Sequence, residues 1–271
     1  ERGCSIGEKK QEWLSAELKK AAADGESKPI FVFQHPHISD TVCGSKNWGE
    51  DEIYTILMDY PQVIDFSGHS HAPINDPRSV YQKHFTCFGT GSLSYFELDE
   101  FDFIHGTIPP EKEKCAQFLI VEAYEDGSVR VLPYDILSGK FFNDGALIEK
   151  PFDPDSFVYT DKRYLTAEKP YFPDGVPVKI EASADSATVI FGAARSKSER
   201  INAYMLVLKC SVSGRILRQV RMTSRYYLYD MPQEYSFTFE NLCKGEYLVE
   251  ITAEGFWNNT SDKLTKGFAV I

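Results

Sequence analysis

No run in the 271-residue chain reaches the ~20 apolar residues that a membrane-spanning helix needs, and the opening ERGCSIGEKK lacks the apolar core of a signal peptide. None of the six cysteines pairs as C-x-x-C, so neither a zinc ribbon nor a dithiol redox motif is written. Cys4, Cys43, Cys87, Cys115, Cys210 and Cys243 are expected as buried free thiols. Basic charge is short as well: 29 Lys+Arg stand against 40 Asp+Glu, a net charge of −11. An acidic chain repels a polyanion, which argues against a nucleic-acid partner and for a small or neutral one. With 42% hydrophobic and 14% aromatic residues the chain can bury a sizeable core. At ~100–200 residues per domain its length suggests one or two.

Residues 5–25 read as a helix, with Ser5 and Glu8 as a capping box, Leu14, Leu18 and Ala21 on one face and Gly25 as the stop. A strand at 30–33 follows and ends in Gln34-His35-Pro36-His37, where Pro36 cannot continue a central ladder. Residues 51–60 look helical up to Pro61, and a second strand at 63–67 runs into Gly68-His69-Ser70-His71. Twice, then, a buried strand ends in a loop carrying histidine. Carboxyl ends of strands are where ligands collect in α/β folds. Strands at 85–88 and 118–124 follow, and 129–133 returns through Glu125-Asp126-Gly127-Ser128 as a hairpin. Residues 138–172 show no period and are rich in Pro, Asp and Gly, the pattern of a surface linker. From 173 onward short alternating segments at 178–182, 187–191, 203–209, 214–222, 235–239 and 247–253 predict a β-sandwich. The charge agrees with two parts: residues 173–271 hold 12 Lys+Arg and 11 Asp+Glu, so the front part carries the acidity. The expected fold class is therefore α/β followed by an all-β sandwich.

Neutral imidazole is a common metal ligand, and four of the six histidines, His35, His37, His69 and His71, stand at predicted strand ends. Gly68 allows a sharp turn after the strand, so that both His69 and His71 can project from one loop. In this arrangement the chain resembles the calcineurin-like metallophosphoesterases, whose late motifs are a histidine at a strand end and, tens of residues on, G-H-x-H. Here these are Phe31-Val32-Phe33-Gln34-His35 and Gly68-His69-Ser70-His71, with a predicted helix between. The resemblance covers residues 1–137 and implies a metal-dependent phosphoester hydrolase, a phosphatase or phosphodiesterase. It implies two transition-metal ions (Fe, Mn or Zn) that activate a hydroxide, with His35 and His69 on one metal and His71 on the other. Its substrate would be a phosphoester small molecule or a phosphorylated polymer. His37 and Asn75 are candidates for the substrate cleft, against the plainer readings of a surface histidine and a turn residue.

The family's early motifs, D-x-H, G-D-x-x-D and G-N-H-[ED], occur nowhere in the chain. They carry the remaining ligands and the acid/base histidine. The expectation is therefore a C-terminal part, residues 1–137, of a catalytic domain whose N-terminal part lies upstream, inactive alone and with an incomplete metal site. Two alternatives stand beside it. One is a non-catalytic binding or cell-surface attachment protein that keeps a degenerate phosphoesterase half. The other is a serine hydrolase: Gly68-His69-Ser70-His71-Ala72 is one residue from G-x-S-x-G, with Ser70 as nucleophile and Asp102 and His105 completing the set, although Pro73 stands where the nucleophile helix should run.

The tail, residues 173–271 after the 138–172 linker, resembles a fibronectin type III or immunoglobulin-like module through Leu242-Cys243-Lys244-Gly245-Glu246-Tyr247-Leu248-Val249-Glu250-Ile251-Thr252-Ala253. Tyr247 would be its corner tyrosine, and Phe191 stands where many such modules have Trp. Arg215, Arg218, Arg221 and Arg225 could meet an anionic polymer, but neighbouring acids favour a solvated strand face. Modules appended to such enzymes imply an extracellular or cell-surface location, with the cytoplasm as the alternative.

Overall fold

The computed structural model describes residues 6–25, 27–98, 100 and 102–271. The chain divides into two compact units: Glu1–Asp99 with Thr107–Arg163, and Glu100–Gly106 with Tyr164–Ile271. In the first, α1 spans Glu8–Ala23 with Gly7 at its N-cap, and Ser5 of the expected capping box lies outside the described residues. Then come β1 (Ile30–Gln34), β2 (His37–Ile38), α2 (Ser45–Trp48), β3 (Gly49–Glu50), α3 (Tyr54–Leu57) and β4 (Val63–Ser67). After these follow β5 (Val80–Gln82), β6 (Thr86–Gly89), β7 (Gln117–Ala123), β8 (Val129–Asp135), β9 (Lys140–Phe141) and β10 (Ala146–Ile148).

One sheet has the order β1-β4-β6-β5, with β4 parallel to both β1 and β6. Every residue of β4 is buried, because a central parallel strand is covered on both faces and has no reason to alternate. On one face Val63 and Cys87 pack with Leu18 of α1, Ile53 and Leu57. On the other, Ile64, Phe66 and Phe88 meet Val129, Val131 and Ile148 of the second sheet, β10-β8-β7. Each fully buried aliphatic or aromatic side chain contributes about 1.5–3 kcal/mol.

The unit is thus helix on one face and sheet on the other, not a layer of helices over both faces. Among the described residues only α1 is an α-helix of more than four residues. The helix expected at 51–60 shrinks to Tyr54–Leu57, with Tyr54 and Ile56 N–H donating three residues back, to Asp51 and Ile53. Ile53 and Leu57 are nonetheless buried. The stretch expected as a linker is sewn to the unit up to Arg163. Ile148 enters the core, Gln82 Oε1 accepts from Val158 and Tyr159 N–H, and the Arg163 guanidinium donates to the Pro77 and Val80 carbonyls at 2.6 and 2.8 Å.

The second unit is an all-β sandwich. β11 (Val178–Ala182), β12 (Ala187–Gly192) and β15 (Glu234–Phe239) form one antiparallel sheet; β14 (Ile216–Thr223), β13 (Ala203–Cys210), β16 (Gly245–Glu254) and β17 (Leu264–Val270) form the other. Their alternating inward residues, among them Val189, Phe191, Tyr204, Leu206, Val249 and Ile251, make one shared core. β17 was not legible in the sequence, because Thr265-Lys266-Gly267 breaks its alternation. Among the described cysteines, Cys87 and Cys115 are buried as expected, and Cys243 is exposed. No helix formed by the described residues is long and apolar enough to cross a membrane.

Candidate metal centre

Parallel register builds the site. Gln34 lies beside Ser67, so the next residues out, His35 and Gly68, emerge side by side at the carboxyl edge, and Gly68 N–H donates to the His35 carbonyl at 3.0 Å. The backbone then turns sharply. His69 and His71 both take left-handed φ, 73° and 54°, a conformation non-glycine residues seldom adopt, and Ser70 N–H bonds back to the Gly68 carbonyl at 2.9 Å. This turn swings the His69 ring onto the His35 ring: Nδ1 of one stands 3.0 Å from Nε2 of the other, the planes at 73°. Trp48, at the end of α2, lies edge-on to His69 with 5.2 Å between centroids.

Two imidazoles this close share a proton or a cation. Nitrogens ~2.1 Å from a common ion stand roughly 3.0–3.4 Å apart as the angle opens from 90° to tetrahedral, so the pair fits two corners of a coordination shell. The His69 pKa is lowered, by partial burial first and then by His35 and His71, which favours the neutral ring that can donate a lone pair. His71 is near enough to act on His69 electrostatically, but its ring lies against Tyr95 at 5.0 Å. Among the described residues no three His, Cys, Asp or Glu side chains are grouped so as to hold a cation. The described residues therefore present two adjacent ring nitrogens and not a complete coordination shell.

The two cleft candidates are withdrawn from solvent. His37 is 1% exposed, neither a surface residue nor open to a ligand; its Nδ1 is 2.8 Å from Ser67 Oγ and its Nε2 2.7 Å from Ser70 Oγ. Burial, and then the neighbouring His69 and His35, push its pKa down to about 4, so it is neutral. Asn75 is buried and accepts from the Gln117 amide at 3.4 Å. Asp76 caps the short 3₁₀ turn Pro77–Ser79 and pairs with Arg78. The sequence offered a signal for His37, its place two residues past a strand-end histidine, but not that two serines of the second loop would enclose it.

Each residue of the serine-hydrolase set has partners within its own unit. Ser70 is buried, with His37 and the Cys43 carbonyl as partners; Asp102 is paired with Arg221, and the His105 ring stacks on Phe103. Behind the histidines lies a residue the sequence reading passed over. Asp65, in the middle of β4 and beside Cys87, is fully buried, and burial raises its pKa to about 7 against the opposing bond from Gln34 Nε2 at 2.9 Å. Its Oδ2 has no hydrogen-bond partner among the described residues.

No family model matches the chain, and no curated protein matches it. Solved structures similar to it include a computationally redesigned β-sandwich protein (17% identity, TM-score 0.28, 38% of this chain and 89% of that one). The fn3 domain of human collagen alpha-1(XX) chain is similar at 16% identity and TM-score 0.27, over 38% of this chain and 85% of that one. Domains d3-d4 of the rat CD45 extracellular region are similar at 18% identity and TM-score 0.27, over 38% of this chain and 51%, about half, of that one. At these scores the likenesses carry no function.

Proposed function

We propose that this chain is the C-terminal part of a metal-dependent phosphoester hydrolase of the calcineurin-like kind, followed by a fibronectin type III-like sandwich. The observation that supports the reading is the meeting of His35 and His69 at 3.0 Å from the ends of two parallel strands. His71, one residue beyond Ser70 in the same loop, is the donor for a second cation. On this reading the remaining ligands belong to the upstream part that carries D-x-H, G-D-x-x-D and G-N-H. Bound cations would supply an activated hydroxide and neutralise phosphate oxygens. This chain's own share is to hold neutral imidazoles at fixed positions, with Trp48 against one side of His69. In the tail, the Tyr247 hydroxyl donates to the Cys243 carbonyl at 2.6 Å, which supports the corner motif.

The test is a His69→Ala, His71→Ala double variant of the protein that includes the upstream residues, assayed on bis(p-nitrophenyl) phosphate with metal content read in parallel. Joint loss, by about 10³-fold or more in rate, is expected. Full activity in the double variant would reject the reading, and an upstream sequence without D-x-H, G-D-x-x-D and G-N-H would favour a non-catalytic remnant.

A further inference from the structure

We propose that His37 is a positioning residue, its ring clamping both ends of the Ser67–Ser70 turn and so setting where His69 presents its imidazole to His35. The inference rests on the cation-site reading above and names what holds that site in shape.

His37 reaches the turn from β2, whose backbone is fixed by pairing with β3 at Gly49. Its two ring nitrogens contact the two serine hydroxyls, at 2.8 and 2.7 Å, that bracket Gly68 and His69. One proton arrangement satisfies both ring nitrogens. Ser67 O–H donates to Nδ1, Nε2–H donates to Ser70 Oγ, and Ser70 O–H donates to the Cys43 carbonyl at 3.3 Å. The Ala72 N–H also donates to Ser70 Oγ, at 3.3 Å. A neutral imidazole with one donor and one acceptor face is the side chain that can bridge two hydroxyls in this way. The turn needs such a restraint, because His69 sits between the serines at φ 73°, which an unconstrained residue leaves readily. Space for the clamp comes from Gly44, at φ +86° on the other side of Ser70. A Cβ there would stand 2.2 Å from Ser70 Cβ and 2.7 Å from its Oγ, so any larger residue evicts the hydroxyl.

Two readouts on the full chain decide the matter, one of them free of metal. In the parent, with ring centroids 4.9 Å apart, a nuclear Overhauser cross-peak between the His35 and His69 ring protons is expected. His37→Ala is expected to abolish that cross-peak and to weaken Zn²⁺ binding about 10–100-fold, the usual effect of losing a group that orients a ligand. Ser70→Ala, which removes one oxygen only, and Gly44→Ala, which displaces it, should act in the same direction, and they serve if His37→Ala fails to fold. An unchanged cross-peak and unchanged affinity in His37→Ala, or in Ser70→Ala where the former does not fold, overturns the clamp. Failure of the cation reading looks different: Zn²⁺ binding would be indifferent to His35→Ala and His69→Ala, while the cross-peak still reports whether His37 sets the ring geometry.

Discussion

Asp65 is a carboxyl group held where an anion is disfavoured. Its neighbours across the sheet are Val32 and Cys87, and the bonds from Gln34 and Ser67 do not offset its burial. A folded-state pKa of about 7 against 3.8 means that, between those values, the folded chain binds a proton the unfolded chain has lost. Stability from this group is therefore full below pH ~4, falls as pH rises towards 7, and is flat above. Asp65→Asn removes the titration. Measured by urea unfolding, the variant should gain on the parent by about 2–3 kcal/mol between pH 5 and pH 8, at 1.36 kcal/mol per unit. A constant difference across that range would show that Asp65 titrates normally. An aspartate inside an apolar run is visible in the sequence, but its burial is not, since that requires both neighbouring strands.

At the level of elements, the strands that read best were those with sharp chemical boundaries. Val63–Ser67 is framed by Pro61 and Gly68, and Val178–Ala182 by Pro177 and Ser183, so their expected and observed limits coincide. Elements whose stability comes from distant partners read worst. β10 is three residues that gain strand geometry only by pairing with β8, and nothing local distinguishes them from a loop. β16 was legible through its alternation, and Tyr247 carries a checkable share of its anchoring. Tyr247→Phe keeps the ring stacked on Phe268 but loses the bond to Cys243, which should cost about 1–1.5 kcal/mol in denaturant unfolding. An effect within a few tenths would mean that water replaces the carbonyl's partner.

On the scale of the whole molecule, the chain passes between its units at 99/100, 106/107 and 163/164. The second unit therefore takes in Glu100–Gly106, a segment the sequence placed in the first domain. Arg221 of β14 holds it. Its guanidinium pairs with Glu100, Asp102 and Glu254 and lies 4.4 Å over the Phe103 ring, while Ile104 N–H donates to its carbonyl at 2.9 Å. Arg221 is thus committed within the unit and is no part of a basic face, and the segment covers part of an edge strand that would otherwise be open. Arg221→Gln should destabilise the full chain by about 2–4 kcal/mol in urea, with part recovered by adding Glu100→Gln, because the loss leaves partly buried carboxylates facing one another. No recovery in the pair would show that the charges act independently. The sequence by itself determined the β-rich periods, the histidine-bearing strand ends and the alternation that makes the sandwich, since these follow from hydrophobic spacing and from Gly and Pro along the chain. Only the tertiary structure decided that His35 meets His69, that His37 is buried between two serines and that residues 100–106 belong with the sandwich. Each of those depends on contacts between residues thirty or more positions apart, which no local pattern encodes.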